Sequence, residues 1–168
     1  GVSATCLLRV SLNGNSAVTT FVGHNDYINS SCFDKTGERI ATNSDDNTTR
    51  IWSVATGATL VTLSGHTGDV YWSEFSSDGS KIVTGSDDGT ARIWDASTGQ
   101  LLRTLNGHTT TVTHVAYHPD GSEVASSSDD GTVRIWNAST GELKDVLYGH
   151  TNGVHSVAYS RDGSMLVT

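Results

Sequence analysis

The chain repeats itself every 42 residues, and this period limits its folding more than any composition figure does. Gly-His pairs stand at Gly23-His24, Gly65-His66, Gly107-His108 and Gly149-His150. Arg-Ile-Trp keeps the same step at Arg50-Ile51-Trp52, Arg92-Ile93-Trp94 and Arg134-Ile135-Trp136, as does Ser-Asp-Asp at residues 44–46, 86–88 and 128–130. The 168 residues amount to four such periods. A unit of this size cannot bury its own apolar surface, so neighbouring units must stack on one another.

Within the period 65–106 four β-prone runs appear: Val70 to Phe75, Lys81 to Ser86, Thr90 to Asp95 and Leu101 to Leu105. Asp78-Gly79, Asp87-Asp88-Gly89 and Thr98-Gly99 separate them with residues that tolerate left-handed backbone or fold a side chain onto the main chain, so each junction can be a tight hairpin. A single Pro, 18 Gly and few strong helix formers agree with an all-β, four-stranded antiparallel meander per period. In the same phase, residues 1–22 match 43–64 and predict a third and fourth strand. Residues 149–168 predict a first strand (Val154 to Tyr159), a turn at Asp162-Gly163 and part of a second strand.

These markers resemble the WD-repeat β-propeller family: the Gly-His pair, the Asp-Gly and Ser-Asp-Asp turns, and a Trp followed by Asp in Trp94-Asp95. The other two units read Trp52-Ser53 and Trp136-Asn137. The resemblance implies one propeller domain over 1–168, or part of one, with complete blades at 23–64, 65–106 and 107–148. It also implies a composite blade, whose last two strands come from 1–22 and first two from 149–168. Family rings usually have seven or eight blades, so a two-fold pair of chains forming an eight-bladed ring, or membership of a longer propeller, is expected over a closed four-bladed ring.

Every full period offers Ser, His and Asp, the side-chain types of a hydrolytic triad, yet three copies in phase with a Trp fit a structural network better than three active sites. The resemblance implies hydrogen-bonded tetrads of His24, Ser44, Asp46 and Trp52; of His66, Ser86, Asp88 and Trp94; and of His108, Ser128, Asp130 and Trp136. Buried indole, imidazole and carboxylate would each be costly without such partners. The N-terminal piece has Val2, Ala4 and Val10 at the places of Ser44, Asp46 and Trp52, so His150 is expected to lack tetrad partners.

The family's upper rim binds peptides and folded partners, which points to the residues flanking each first-strand anchor. These are Tyr27 and Asn29, Asp69 and Tyr71, Thr111 and Thr113, and Gly153 and His155, with Asp45, Asp87 and Asp129 before each tetrad Asp. Two Tyr and four Asp on one face would suit a basic peptide segment or partner protein, through carboxylates and cation–π contacts. The same aspartates also favour tight turns. The expected function is therefore a non-enzymatic protein–protein interaction scaffold. The alternative is a small-molecule or sugar-binding propeller, or an enzyme, and a non-repeating acidic or histidine cluster inside a pocket would favour it.

No catalytic set, cofactor motif or zinc-spaced Cys pair is evident. His114 and His118 on one strand would stand about 13 Å apart, too far for a shared metal, and His118 is expected to be solvated in a His-Pro-Asp-Gly turn. Ten Lys and Arg against 18 Asp and Glu give a net charge of −8, which argues against nucleic acid or an anionic membrane as partner. Cys6 and Cys32 offer no disulfide framework, and no signal segment is evident, so an intracellular, cytoplasmic location is expected. Asn-X-Ser/Thr at Asn29, Asn47 and Asn137 reads as chance in so polar a chain.

Overall fold

The computed structural model describes residues 4–12 and 15–168, and among them every regular element is a β-strand. Three four-stranded antiparallel sheets follow one another. The first holds β3 (Ile28–Phe33), β4 (Arg39–Ser44), β5 (Thr48–Ser53) and β6 (Thr59–Ser64). The second holds β7 (Val70–Phe75), β8 (Lys81–Ser86), β9 (Thr90–Asp95) and β10 (Leu101–Asn106). The third holds β11 (Val112–Tyr117), β12 (Glu123–Ser128), β13 (Val133–Asn137) and β14 (Leu143–Leu147). The first three runs expected in 65–106 coincide with β7, β8 and β9, and the fourth extends one residue further, to Asn106.

Turn chemistry fixes the hairpins. Gly79, Gly89 and Gly99 take left-handed φ of 69°, 77° and 76°, where a side chain would be strained. At the place of Gly89 the first blade has Asn47, with φ of 63°, among the few residue types that visit this region. Each first strand carries a register shift near its start, as between Val70 and Trp72.

Burial follows the second strand most closely. In β8 the side chains from Ile82 to Ser86 are all buried, because this strand is covered on both faces by neighbouring blades. Between blades, Leu63, Phe75, Ile82 and Trp94 form one apolar cluster, and Val83, Leu105, Val112, Val115 and Trp136 form the next. Ahead of them Phe21 lies 5.7 Å, ring centre to ring centre, from Trp52. Phe21, Leu63 and Leu105 are one period apart, so each fourth strand seals the tryptophan of the following blade.

The composite blade does not form as one sheet. Among the described residues β1 (Ala4–Leu12) pairs only with β2 (Asn15–His24), and β15 (Ala158–Tyr159) only with β16 (Leu166–Val167), as two separate two-stranded sheets. Three blades stand between them, stacked in sequence through β3, β7 and β11. The first strand expected from Val154 to Tyr159 is found only over Ala158–Tyr159. The N-terminal hairpin forms as expected, with a displaced irregularity. In β5–β6 the register shifts between Ile51 and Trp52, whereas in β1–β2 it shifts between Ala4 and Thr5. Val2 lies outside the described residues.

Candidate functional site

Two layers of polar residues sit where the first strands begin: a buried network, and an exposed rim above it. In the network, His66 Nδ1 lies 2.8 Å from Asp88 Oδ2, His66 Nε2 lies 2.7 Å from Thr84 Oγ1, and Trp94 Nε1 donates to the same hydroxyl at 2.9 Å. His24, Asp46, Thr42 and Trp52 repeat this arrangement, as do His108, Asp130, Ser126 and Trp136. One proton arrangement satisfies every atom: the indole donates to the hydroxyl, the hydroxyl to Nε2, and Nδ1–H to the carboxylate.

The tetrad hydroxyls are thus Thr42, Thr84 and Ser126, which corrects the expectation of Ser44, Ser86 and Ser128. Those three serines cap the turn instead. Each Oγ accepts the N–H of the tetrad Asp, at 3.1, 3.1 and 3.0 Å, and donates to a loop carbonyl, that of Asp26, Gly68 or Thr110. The cause is the register: Trp52 pairs with Ile40, so its indole reaches the same-face diagonal neighbour Thr42, while Ser44 is two residues further along. His150 is corrected as well. Its Nε2 lies 2.6 Å from Thr168 Oγ1, the next member of the Thr42, Thr84, Ser126 series.

Each tetrad carboxylate also accepts the N–H after the His and a hydroxyl from Thr48, Thr90 or Thr132, residues the sequence reading left out. Burial pushes these acids up, but the bonds outweigh it. Asp46 and Asp88 are held below the usual carboxylate range, and Asp130 is held at about 2. Burial lowers His66 and His108, only partly offset by Asp88 and Asp130, so both rings stay neutral near pH 7.

Above this layer the two kinds of expected rim residue meet blade by blade. The N–H groups of Asp45, Asp87 and Asp129 donate to the carbonyls of Tyr27, Asp69 and Thr111, at 3.0, 2.9 and 3.1 Å. Neighbouring blades are linked as well, since Thr111 Oγ1 donates to Asp87 Oδ1 at 2.5 Å. Tyr71, Thr111, Thr113, Asp129 and His155 line one open cavity of about 350 Å³. His155 Nδ1 lies 3.6 Å from Asp129 Oδ1. Burial and then the charges of Asp87, Asp69, Asp45 and Asp129 raise the Tyr71 hydroxyl, and burial with Asp45, Asp87 and Asp26 raises Asp69. Asp26 is thus a further acid of this face, two residues after His24.

Other expected rim residues are engaged within the protein. Asn29 Nδ2 donates to Asp45 Oδ1 and to Val70 O of the next blade, and Thr113 Oγ1 donates to Val154 O. A side chain at Gly153 would meet Asp129 Oδ1 at 2.7 Å, so this position accommodates the turn. Tyr27 is 77% exposed and lies outside the cavity lining. At the far end of the strands His118 is not free in solvent. Its ring bonds to Asp120 at 2.6 Å and stands edge-on to Tyr159 with centres 5.0 Å apart. Among the described residues no group of three or more His, Cys, Asp or Glu is placed to hold a metal, and no helix is long and apolar enough to cross a membrane.

Stacked four-stranded blades, each with a His–Asp–hydroxyl–Trp network beneath an acidic rim, define an all-β repeat protein. A family model described as "WD domain, G-beta repeat" matches residues 15–53, 57–95, 99–137 and 141–168, and the chain belongs to the WD-repeat family. Repeats of this family generally mediate protein–protein interaction. No curated protein matches the chain.

Proposed function

We propose that this protein is a non-enzymatic interaction scaffold that holds a basic peptide segment, or the basic surface of a partner protein, on its acidic rim. The observation that carries this reading is the convergence of Asp45, Asp69, Asp87 and Asp129 on Tyr71 beside an open cavity. An Arg or Lys entering there would relieve repulsion among four like charges and meet an aromatic face. The turn role of the aspartates is compatible with this, because it engages their N–H groups and leaves carboxylate oxygens for a ligand. A fluorescent Arg- and Lys-rich peptide, followed by anisotropy, should bind and weaken strongly between about 50 and about 500 mM salt. Asp87→Asn with Asp129→Asn should weaken it about tenfold or more. Affinity indifferent to salt and to both substitutions would overturn the reading.

The two half-sheets bear on assembly. Among the described residues β1–β2 and β15–β16 each present unpaired edges, with Val22 and Val167 exposed beside them, and unpaired strand edges invite pairing. A second copy related by a two-fold axis would complete both and give an eight-bladed ring with two acidic rims. Light scattering should then report twice 17.7 kDa, and a single 17.7 kDa species would overturn this pairing.

A further inference from the structure

At the end of the first strands opposite the rim lies a second, larger cavity of about 570 Å³, and its chemistry does not follow the repeat. Lys35, Glu74, His114, Tyr117, Tyr159 and Arg161 are among its lining residues. One period away from Glu74 in each direction stand Cys32 and Ala116, and two periods on stands Ala158, so the carboxyl occurs in one blade alone. His114 replaces Ser30, Trp72 and Ser156, and Tyr117 and Tyr159 carry hydroxyls where Phe33 and Phe75 have none. A structural role shared by all blades would not call for these differences.

The polar atoms here are short of partners. Among the described residues, five buried side-chain nitrogens or oxygens have no hydrogen-bond partner, and three of them, His114 Nδ1, Tyr117 Oη and Tyr159 Oη, belong to residues of this lining. Tyr117 is only 5% exposed. Native proteins leave few such groups unsatisfied, and a concentration of them beside a cavity points to an occupant that satisfies them. Among the described residues Glu74 has one hydrogen bond, from the Tyr117 N–H at 3.3 Å, and no basic group pairs with it. Burial drives its carboxyl up to about 7, so the site gains most from an incoming cation. Trp72 stacks on His114 with ring centres 4.2 Å apart, holding that imidazole beside the cavity. Burial lowers His114 to about 4, so the ring is neutral and does not oppose a cation. Lys35 and Arg161 are exposed residues of the β3–β4 and β15–β16 turns, each free of an ion pair among the described residues.

We propose that this cavity is a binding site, distinct from the rim, for a small zwitterion of the amino-carboxylate class, whose ammonium pairs with Glu74 and whose carboxylate pairs with Lys35 and Arg161. The unpartnered Tyr and His atoms supply further hydrogen bonds, and the rings of Tyr117 and Tyr159 cover its apolar stem.

The test titrates the whole chain with 6-aminohexanoate, hexylamine and hexanoate up to about 10 mM, a range in which a weak small ligand registers. The ¹⁵N–¹H signal of Tyr117 reports directly, since its N–H bonds to Glu74. Saturable movement with 6-aminohexanoate, at least tenfold loss in Glu74→Gln, and affinity reduced to that of hexylamine in Lys35→Ala with Arg161→Ala are expected. The second variant changes exposed side chains only, so it keeps the test independent of how Glu74→Gln folds. No movement at Tyr117, movement confined to Tyr71 and Asp129 on the rim, or affinity unchanged in either variant would overturn the site.

Discussion

The hydroxyl of Thr84 stands 2.7 Å from the imidazole of His66, and the Trp94 indole donates to that same oxygen. One small side chain thus joins two large buried ones, and this relationship recurs at Thr42 and Ser126.

Thr84→Val keeps the shape but leaves the indole N–H and His66 Nε2 unsatisfied, at an expected cost of about 2–3 kcal/mol. Ser86→Ala removes a turn cap and should cost about 1 kcal/mol. Urea unfolding of the two variants would show Ser86→Ala as the more damaging if the tetrad assignment were wrong.

Three groups of titrating residues contribute to the pH dependence in different senses. Asp46, Asp88 and Asp130 are depressed in the folded state, so the stability they contribute is present above about pH 4 and is lost on acidification, for Asp130 through about pH 2. His66 and His108 are also lowered, so below about pH 6.5 the unfolded chain takes up protons that the folded one does not, and stability falls there too. Glu74 acts in the opposite sense. Its folded value of about 7 lies above the 4.5 of a free carboxyl, so stability falls as pH rises between them. Glu74→Gln should therefore be more stable than the parent at pH 8, by about 2–3 kcal/mol, with the gap closing below about pH 4.5. Melting temperatures across pH 4–8 that run parallel for the two proteins would contradict this.

Arg39 bonds Asp34 in its own blade, reaches Gly79 O of the next at 2.7 Å, and lies over the Phe75 ring. Lys81 holds the same place one period later, facing Gly121, and a side chain built at Gly121 would meet nothing within 4 Å. The shorter, single-pronged cation leaves that contact unmade. Lys81→Arg should recreate it toward Gly121 O and stabilise by about 0.5–1 kcal/mol, read from the denaturant midpoint.

Asn47 carries the left-handed backbone that Gly89 and Gly131 supply in the other blades. Asn47→Gly should change stability by less than about 1 kcal/mol, whereas Asn47→Val should cost more than that, since a β-branched residue is poorly suited to positive φ.

Strand positions were largely legible because the period supplies several copies of each signal: β7, β8 and β9 begin and end where the alternation and the Asp-Gly turns place them. The aspartates that act on Tyr71 include Asp45, Asp87 and Asp129, which keep the same period. The tetrad hydroxyl was not, since Thr42 and Ser44 share a face of β4 and Ser-Asp-Asp is the louder motif. The diagonal reach of Trp52 from Ile40 would have chosen Thr42, and the series Thr42, Thr84, Ser126 and Thr168 was available as a signal. The bonds that Asn29 and Thr113 make to the next blade were not legible, because a sequence does not show which carbonyl of that blade lies within reach. Glu74 escaped notice because it occurs once while the signals read were those that repeat, and His114 was weighed only as a metal ligand beside His118.

Phe21, Leu63 and Leu105 each close over the tryptophan of the blade that follows, so every unit depends on its predecessor for part of its core. Stability then passes along the chain as a nearest-neighbour coupling, as in a one-dimensional array. The middle blade is coupled in this way to both of its neighbours, so Leu63→Ala should speed hydrogen exchange in β9 as well as in β5 and β6.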